Sequence, residues 1–118
     1  MYVGKHTYKE VNMNFAEFIH KKRIEKNFTL RELAIKLEIS FSYLSDVEKG
    51  RAKAFKPELL KKLVDIFELD QDESDLMYNL AAKSQDEVPA DIAEYMKKNP
   101  DAVVAFRKEM RKNSYGQN

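Results

Sequence analysis

The sequence predicts an all-α protein, and three observations support this fold class. Only three glycines and three prolines occur among the 118 residues, so few positions favour turns or interrupt helices. Apolar residues recur three or four positions apart, which is the spacing of one helix face, while the alternation typical of strands is nearly missing. Residues that cap helices stand directly before several of these apolar segments. We therefore expect helices joined by short turns.

The first two predicted helices begin at capping boxes. Asn14, with Glu17 three residues later, starts a helix that runs to about Lys26, because each side chain can bond the backbone N–H of the other residue. Thr29 and Glu32 form the same device before the second helix. The inward residues predicted for these helices are Phe15, Phe18, Ile19, Leu30, Leu33, Ala34 and Leu37.

A brief turn at Glu38 and Ile39 separates the second helix from the third. Ser40 is a favoured cap for the third helix, which we expect to run to Lys49 and stop at Gly50. Leu44 and Val47 are its predicted core residues, with Phe41, Ser42, Ser45, Asp46 and Lys49 facing outward.

Two further helices follow a basic loop at residues 51–56. Pro57 starts the fourth helix, where its missing N–H costs nothing, and Asp72 is expected to open the fifth. The predicted apolar residues are Leu59, Leu60, Leu63, Val64 and Phe67 in the fourth helix and Leu76, Met77, Leu80 and Ala81 in the fifth. A polar linker is expected from Lys83 to Val88.

Beyond the linker, the pattern predicts a pair of short amphipathic helices. The first spans Pro89 to Lys98, and the second, with Asn99 as cap and Pro100 in its first turn, reaches about Lys112. Their apolar stripes are Ile92, Tyr95 and Met96, then Val103, Phe106 and Met110. Such a hairpin either packs on the fifth helix or meets a second subunit.

The predicted domain division has four parts: an arm at 1–13, a domain at 14–83, an extension at 89–112 and a frayed tail at 113–118. In the arm, Tyr2, Val3 and Tyr8 are expected to pack on the body or form a strand.

The charge is unevenly distributed although the net value is only +1. Residues 1–62 hold 14 Lys and Arg against 8 Asp and Glu, whereas residues 63–100 hold 3 against 10. This asymmetry indicates a basic face for a polyanion. Segregated, solvated helix faces are the plainer explanation.

Several functional classes lack support in the sequence. Cysteine is absent, which excludes disulfides and thiolate chemistry and suits a reducing cytoplasm. His6 and His20 have no metal-ligand spacing between them, and neither a phosphate-binding glycine loop nor a nucleophile motif occurs. We expect no catalytic residues, metal or cofactor, and no secretory signal or membrane span.

The second helix, tight turn and third helix have the layout of a helix-turn-helix. In such a unit the second helix crosses the phosphate backbone, and the third presents its outer side chains to base edges. The segment TLRELAIKLEISFSYLSDVEKGRAK resembles the Cro and lambda-repressor-like (XRE) family of bacterial and phage regulators, because its T-L-x-E-L-A, S-x-x-Y-L-S and V-E-K-G motifs occur together at the family's spacing. The resemblance covers about residues 15–80 and implies a five-helix lambda-repressor-like DNA-binding domain with a short C-terminal helical extension.

The resemblance also implies residue roles. Arg23 and Glu48 match a charged pair that ties the first helix to the third, as a planar guanidinium suits a carboxylate. Asp46 either accepts from a cytosine amino group or is a surface charge, and Phe41 either touches a thymine methyl or covers the turn. Glu38 departs from the family's frequent glycine and implies a left-handed residue under mild strain. The implied DNA-binding residues are Thr29, Arg31, Ser40, Phe41, Ser42, Tyr43, Ser45, Asp46, Lys49, Arg51 and Lys53.

We therefore expect a cytoplasmic, non-enzymatic regulator that binds double-stranded DNA, as a homodimer on a palindromic operator, and represses a phage, mobile-element or toxin–antitoxin operon. The alternative is a protein-interaction module that keeps the helix-turn-helix as scaffold and binds a protein partner through the C-terminal helices. RNA binding is less favoured because no aromatic stacking platform is evident.

Overall fold

The structure, a computed structural model, describes the backbone of residues 13–116 and the side chains of residues 13–113. The expectations for the N-terminal arm, including Tyr2, Val3, His6 and Tyr8, fall outside this range apart from residue 13. Within it the chain is entirely helical, which confirms the predicted fold class. The helices are α1 (Phe15–Glu25), α2 (Leu30–Leu37), α3 (Phe41–Glu48), α4 (Pro57–Ile66), α5 (Gln71–Gln85), α6 (Ala90–Lys98) and α7 (Pro100–Gly116).

Helices α1–α5 enclose the apolar core. Helix α1 packs on α3 and α5, and α2 packs on α3 and α4, so α3 is supported from two sides. The largest fully buried side chains are Phe18, Phe55, Phe67, Ile19, Leu33, Leu37, Leu44, Leu63, Met77 and Val47. Burying a side chain of this size contributes about 1.5–3 kcal/mol relative to exposure. Helix α6 contacts α5, and α7 packs on α6, which leaves the last helix at the margin of the fold.

A partly buried ion pair fastens α1 to α5. Lys22, with only 11% of its side chain exposed, donates to Glu73. Burial disfavours both charges, but their hydrogen bond and mutual attraction outweigh it, so the pKa of Lys22 lies above its usual value and the pKa of Glu73 below. The second Glu73 oxygen accepts from the Asp70 backbone N–H at 3.0 Å. One carboxylate therefore completes a capping box and anchors a neighbouring helix.

The fifth helix differs from its prediction at both ends. Its cap is Asp70 rather than Asp72, and it continues to Gln85, so the linker expected to begin at Lys83 is only residues 86–89. The polar residues of the last turn occupy a helix end instead of a loop. Ser84 donates to the Ala81 carbonyl at 2.8 Å, and Gln85 donates to the Ala54 carbonyl at 3.2 Å.

The C-terminal hairpin also departs in detail from the sequence expectation. The Asn99 side chain, expected to cap α7, donates to the Tyr95 carbonyl at 2.8 Å and so terminates α6. Its amide is drawn to α6 because the last carbonyls of a helix lack partners within the helix. Helix α7 runs to Gly116, past the predicted end at Lys112.

Candidate nucleic-acid interface

The face of α3 that points away from the core is open to solvent. Leu44 and Val47 are at most 1% exposed and hold the helix against the body. With 3.6 residues per turn, the opposite face carries Phe41, Ser42, Ser45, Asp46 and Lys49. Phe41 is 44% exposed, Ser42 and Lys49 are exposed, and Ser45 and Asp46 are half-buried. Among the described residues, no part of the C-terminal hairpin is among the principal contacts of α3.

Hydroxyl groups cap the two helices of the motif at exposed positions. The Ser40 oxygen accepts from the Tyr43 N–H at 3.0 Å, and the Thr29 oxygen accepts from the Glu32 N–H at 3.0 Å. Each hydroxyl acts only as an acceptor in these bonds, so its hydrogen can still be donated outward. The partial positive charge of a helix N-terminus adds to the attraction for an anion such as phosphate.

The turn between α2 and α3 has the predicted left-handed residue. Glu38 has φ 59° and ψ 43° and directs the chain from α2 into α3. A non-glycine residue costs about 1 kcal/mol in this conformation. The Glu38 carboxylate also accepts from Lys62 of α4 at 3.1 Å, an exposed ion pair of small value.

Aromatic contacts involve three of the predicted DNA-binding side chains. The Arg31 guanidinium lies 5.1 Å from the centre of the Phe41 ring, which is within cation–π range and joins α2 to the first turn of α3. The Tyr43 ring packs edge-on against Phe55, with centroids 5.6 Å apart. The Phe41 ring therefore lies against Arg31 and is 44% exposed, whereas the Tyr43 ring is partly buried against the core.

The basic loop after α3 is anchored by an aromatic residue that the sequence analysis had left unassigned. Phe55 is 1% exposed and meets Phe15 edge-on, with ring centroids 5.8 Å apart. Because Phe55 and Ala54 are buried, Arg51, Lys53 and Lys56 are held at the surface. A lone aromatic residue within a run of cations was the available signal for this anchor.

Asp46 holds the start of this loop. Its backbone carbonyl accepts from the N–H groups of Arg51 at 2.8 Å and Ala52 at 3.3 Å. Its carboxylate lies 3.9 Å from the Arg51 guanidinium, and both side chains are half-exposed or more. The acidic side chain on the α3 face is thus next to a cation that lowers its repulsion of phosphate.

Arg23 and Glu48 join α1 to α3 in a bidentate pair. Arg23 donates to the two carboxylate oxygens at 2.7 and 3.0 Å and to the Phe28 carbonyl at 3.0 Å. Only 11% of the Arg23 side chain and 6% of the Glu48 side chain are exposed. Charge-assisted bonds in this geometry are among the strong ones in proteins, so they fix the orientation of α3.

His20, which the sequence pattern brings up only as a metal ligand to be excluded, is a third member of this cluster. Its Nδ1 lies 3.0 Å from Glu48 Oε1, and the ring is 58% exposed. Together with Ser45, Lys49 and Glu17 it lines a shallow hollow between α1 and α3. A spacing of three residues from Arg23 on α1 was the signal for this contact.

Among residues 13–116 no group of three His, Asp or Glu side chains is placed to hold a metal ion. No helix in this range is both long and apolar enough to cross a bilayer.

Three features together are typical of a helix-turn-helix DNA-binding protein. They are the exposed outer face of α3, the capped N-termini of α2 and α3, and the basic loop anchored by Phe55. Residues 19–73 match the family model described as "Helix-turn-helix", a range that contains α2, α3 and the loop. No curated protein and no solved structure matches the chain. The match supports a helix-turn-helix domain of the Cro and lambda-repressor-like (XRE) type within residues 19–73, and a DNA-binding role for that domain.

Proposed function

We propose that this regulator is a repressor, of the kind that serves phage, mobile-element or toxin–antitoxin operons, and that it acts in the cytoplasm as a homodimer on a palindromic operator. The observation that supports the proposal most is the uncovered face of α3, with half-exposed or exposed side chains along it and buried anchors behind it. A helix of about 10–12 Å diameter fits a major groove about 12 Å wide, and a bound regulator excludes other proteins from the same DNA.

The proposed contacts fall into two sets. Phe41, Ser42 and Asp46 read base edges, with Tyr43 and Ser45 beside them. The phosphate contacts come from Thr29, Arg31, Ser40, Lys49, Arg51 and Lys53. The first set specifies the sequence and the second positions the helix. Arg23 and Glu48 contact no base, and their pair orients α3.

The homodimer is supported by the apolar surface of the C-terminal hairpin. Ile92 and Tyr95 of α6 are 47% and 59% exposed, and Phe106 and Met110 of α7 are each 55% exposed. Several large apolar side chains exposed together are typical of an interaction surface. A second copy is the occupant we propose, since two-fold symmetry places two α3 helices about 34–36 Å apart, on successive turns of one DNA face.

Selection of bound duplexes from a random pool tests this function directly. We expect a palindromic consensus, with affinity that falls as salt rises at a log–log slope of about −0.9 per phosphate contacted. Ser42→Ala and Asp46→Asn should alter the preferred bases, whereas Lys53→Ala should weaken all duplexes similarly. Lys97→Ala, at an exposed lysine of α6, is the control and should leave affinity unchanged. Equal binding of all duplexes by every variant would refute the proposal.

The second candidate function is a protein-interaction module that binds a partner through α6 and α7. The same exposed hairpin residues favour it. Sedimentation of the chain alone separates the two, because a dimer dissociated by Phe106→Asp supports the regulator as proposed. A monomer that binds no selected duplex supports the interaction module.

A further inference from the structure

His20 lies against the flank of the proposed recognition helix, where DNA phosphates would pass if α3 lay in a major groove. Its ring is within hydrogen-bond distance of Glu48 on α3, and it shares a hollow with Ser45 and Lys49 of the outward face. A helix fills most of the width of a major groove. Groups immediately beside α3 therefore meet the sugar–phosphate wall of the groove instead of base edges.

The neighbours of His20 fix which ring nitrogen carries the proton in the neutral form. A carboxylate only accepts hydrogen bonds, so the 3.0 Å contact between His20 Nδ1 and Glu48 Oε1 requires a hydrogen on Nδ1. Arg23 Nη2 is 3.3 Å from the same nitrogen. If His20 Nδ1 accepted a hydrogen bond from Arg23 instead, the lone pair on Nδ1 would also face the carboxylate oxygen Glu48 Oε1, which repels it. With Nδ1–H bonded to Glu48, the neutral ring has a lone pair on Nε2, which repels a phosphate oxygen.

Protonation changes this property of the ring. A protonated imidazole has a hydrogen on both nitrogens and a positive charge, so Nε2 becomes a donor while Nδ1 keeps its bond to Glu48. The charged groups that line the hollow with His20 are Arg23 and Glu17 on α1 and Glu48 and Lys49 on α3, of which Glu48 and Arg23 contact the ring. Arg23 and Glu48 neutralise one another, and Glu17 is bonded to the Asn14 N–H at 2.9 Å. The Arg23–Glu48–His20 cluster therefore passes from net zero to +1.

We propose that protonated His20 is an additional phosphate-binding residue, which makes DNA affinity depend on proton uptake. This inference rests on the proposed function, because it requires α3 to lie in the groove. Affinity for the selected duplex should rise about five- to tenfold per half-site as the pH falls from 8 to 6, the effect of one added charge-assisted hydrogen bond. The log–log salt slope should steepen by about 0.9 per half-site.

The chain offers a matched control, since it contains only two histidines, His6 and His20. His20→Gln keeps a polar side chain without the titrating charge, and His6→Gln removes the other titrating ring. We expect His20→Gln to bind with the pH-8 affinity of the native chain at both pH values and His6→Gln to keep the full pH dependence. Calorimetry in buffers of different ionisation enthalpy should record proton uptake on binding by the native chain and by His6→Gln, but not by His20→Gln.

A purely structural role for His20 would not change the salt slope, which separates it from phosphate binding. Thermal unfolding of His20→Gln at both pH values checks that the fold is retained. Proton uptake that persists in His20→Gln, or a salt slope that is the same at pH 6 and pH 8, would overturn the inference while leaving the proposed function intact. Failure of the native chain to select any duplex would overturn both.

Discussion

Removal of the Glu48 carboxylate should be among the most destabilising single changes at the α1–α3 junction. Glu48→Ala eliminates two charge-assisted hydrogen bonds from Arg23, of 2.7 and 3.0 Å, and leaves a guanidinium that is only 11% exposed. Breaking a buried pair by removing one partner typically costs about 3–5 kcal/mol. Arg23 retains its bond to the Phe28 carbonyl, so we expect the lower end, about 3 kcal/mol.

Urea denaturation followed by far-ultraviolet circular dichroism measures this cost. The midpoint should fall with little change in the denaturant slope, and the melting temperature should drop by about 12–24 °C, from about 4–8 °C per kcal/mol in a small domain. A double-mutant cycle with Arg23→Ala should give a coupling of about 2–3 kcal/mol, the upper part of the usual range.

The exposed pair between Glu38 and Lys62 is the matched control. Its N–O distance is 3.1 Å, but the side chains are 79% and 42% exposed, so Lys62→Ala should cost less than about 0.5 kcal/mol. The reasoning about burial is wrong if Glu48→Ala costs no more than this control, or if the cycle gives no coupling.

Three further changes test other parts of the structure. Glu73→Gln keeps a capping acceptor but removes the charge facing Lys22. Because the folded-state pKa of Glu73 is lowered, the native chain should lose stability as the pH falls below about 4.5. Urea titrations at successive pH values should show a smaller loss of stability for the variant. Glu38→Gly should raise the free energy of unfolding by about 0.5 kcal/mol, as relief of left-handed strain exceeds the lost exposed ion pair; a lower unfolding midpoint would contradict this. Phe106→Asp should convert the proposed dimer to a monomer in sedimentation without lowering the melting temperature measured at low protein concentration, and an unchanged mass would count against the proposed α7 interface.

Local sequence signals accounted for most of the helix positions. The capping boxes of α1 and α2 and the Ser40 cap formed as predicted, because such bonds depend on residues three positions apart. The left-handed residue at Glu38 followed from the family resemblance and is present. These features involve short-range geometry, which a single sequence records well.

Contacts between distant residues could not be derived in the same way. The Lys22–Glu73 pair joins residues 51 positions apart, and each partner resembles an ordinary surface charge in the sequence. The burial of Phe55 depends on how the loop folds back onto Phe15. The polar end of α5 was interpreted as a linker because polarity alone does not distinguish a solvated helix turn from a loop.

The position of Arg51 beside Asp46 has a consequence for altering the specificity of the protein. The Asp46 carboxylate lies 3.9 Å from the Arg51 guanidinium. It therefore competes with the phosphates of a DNA backbone for that guanidinium. Replacing Asp46 with a neutral residue releases that cation as well as changing the base contact proposed for Asp46. Such a variant should bind unrelated duplexes more tightly. The ratio of its affinity for the operator to its affinity for unrelated duplexes should therefore fall, even if its affinity for the operator increases. On the proposed function, selectivity between DNA sequences therefore depends partly on Asp46 weakening the attraction of Arg51 for phosphate.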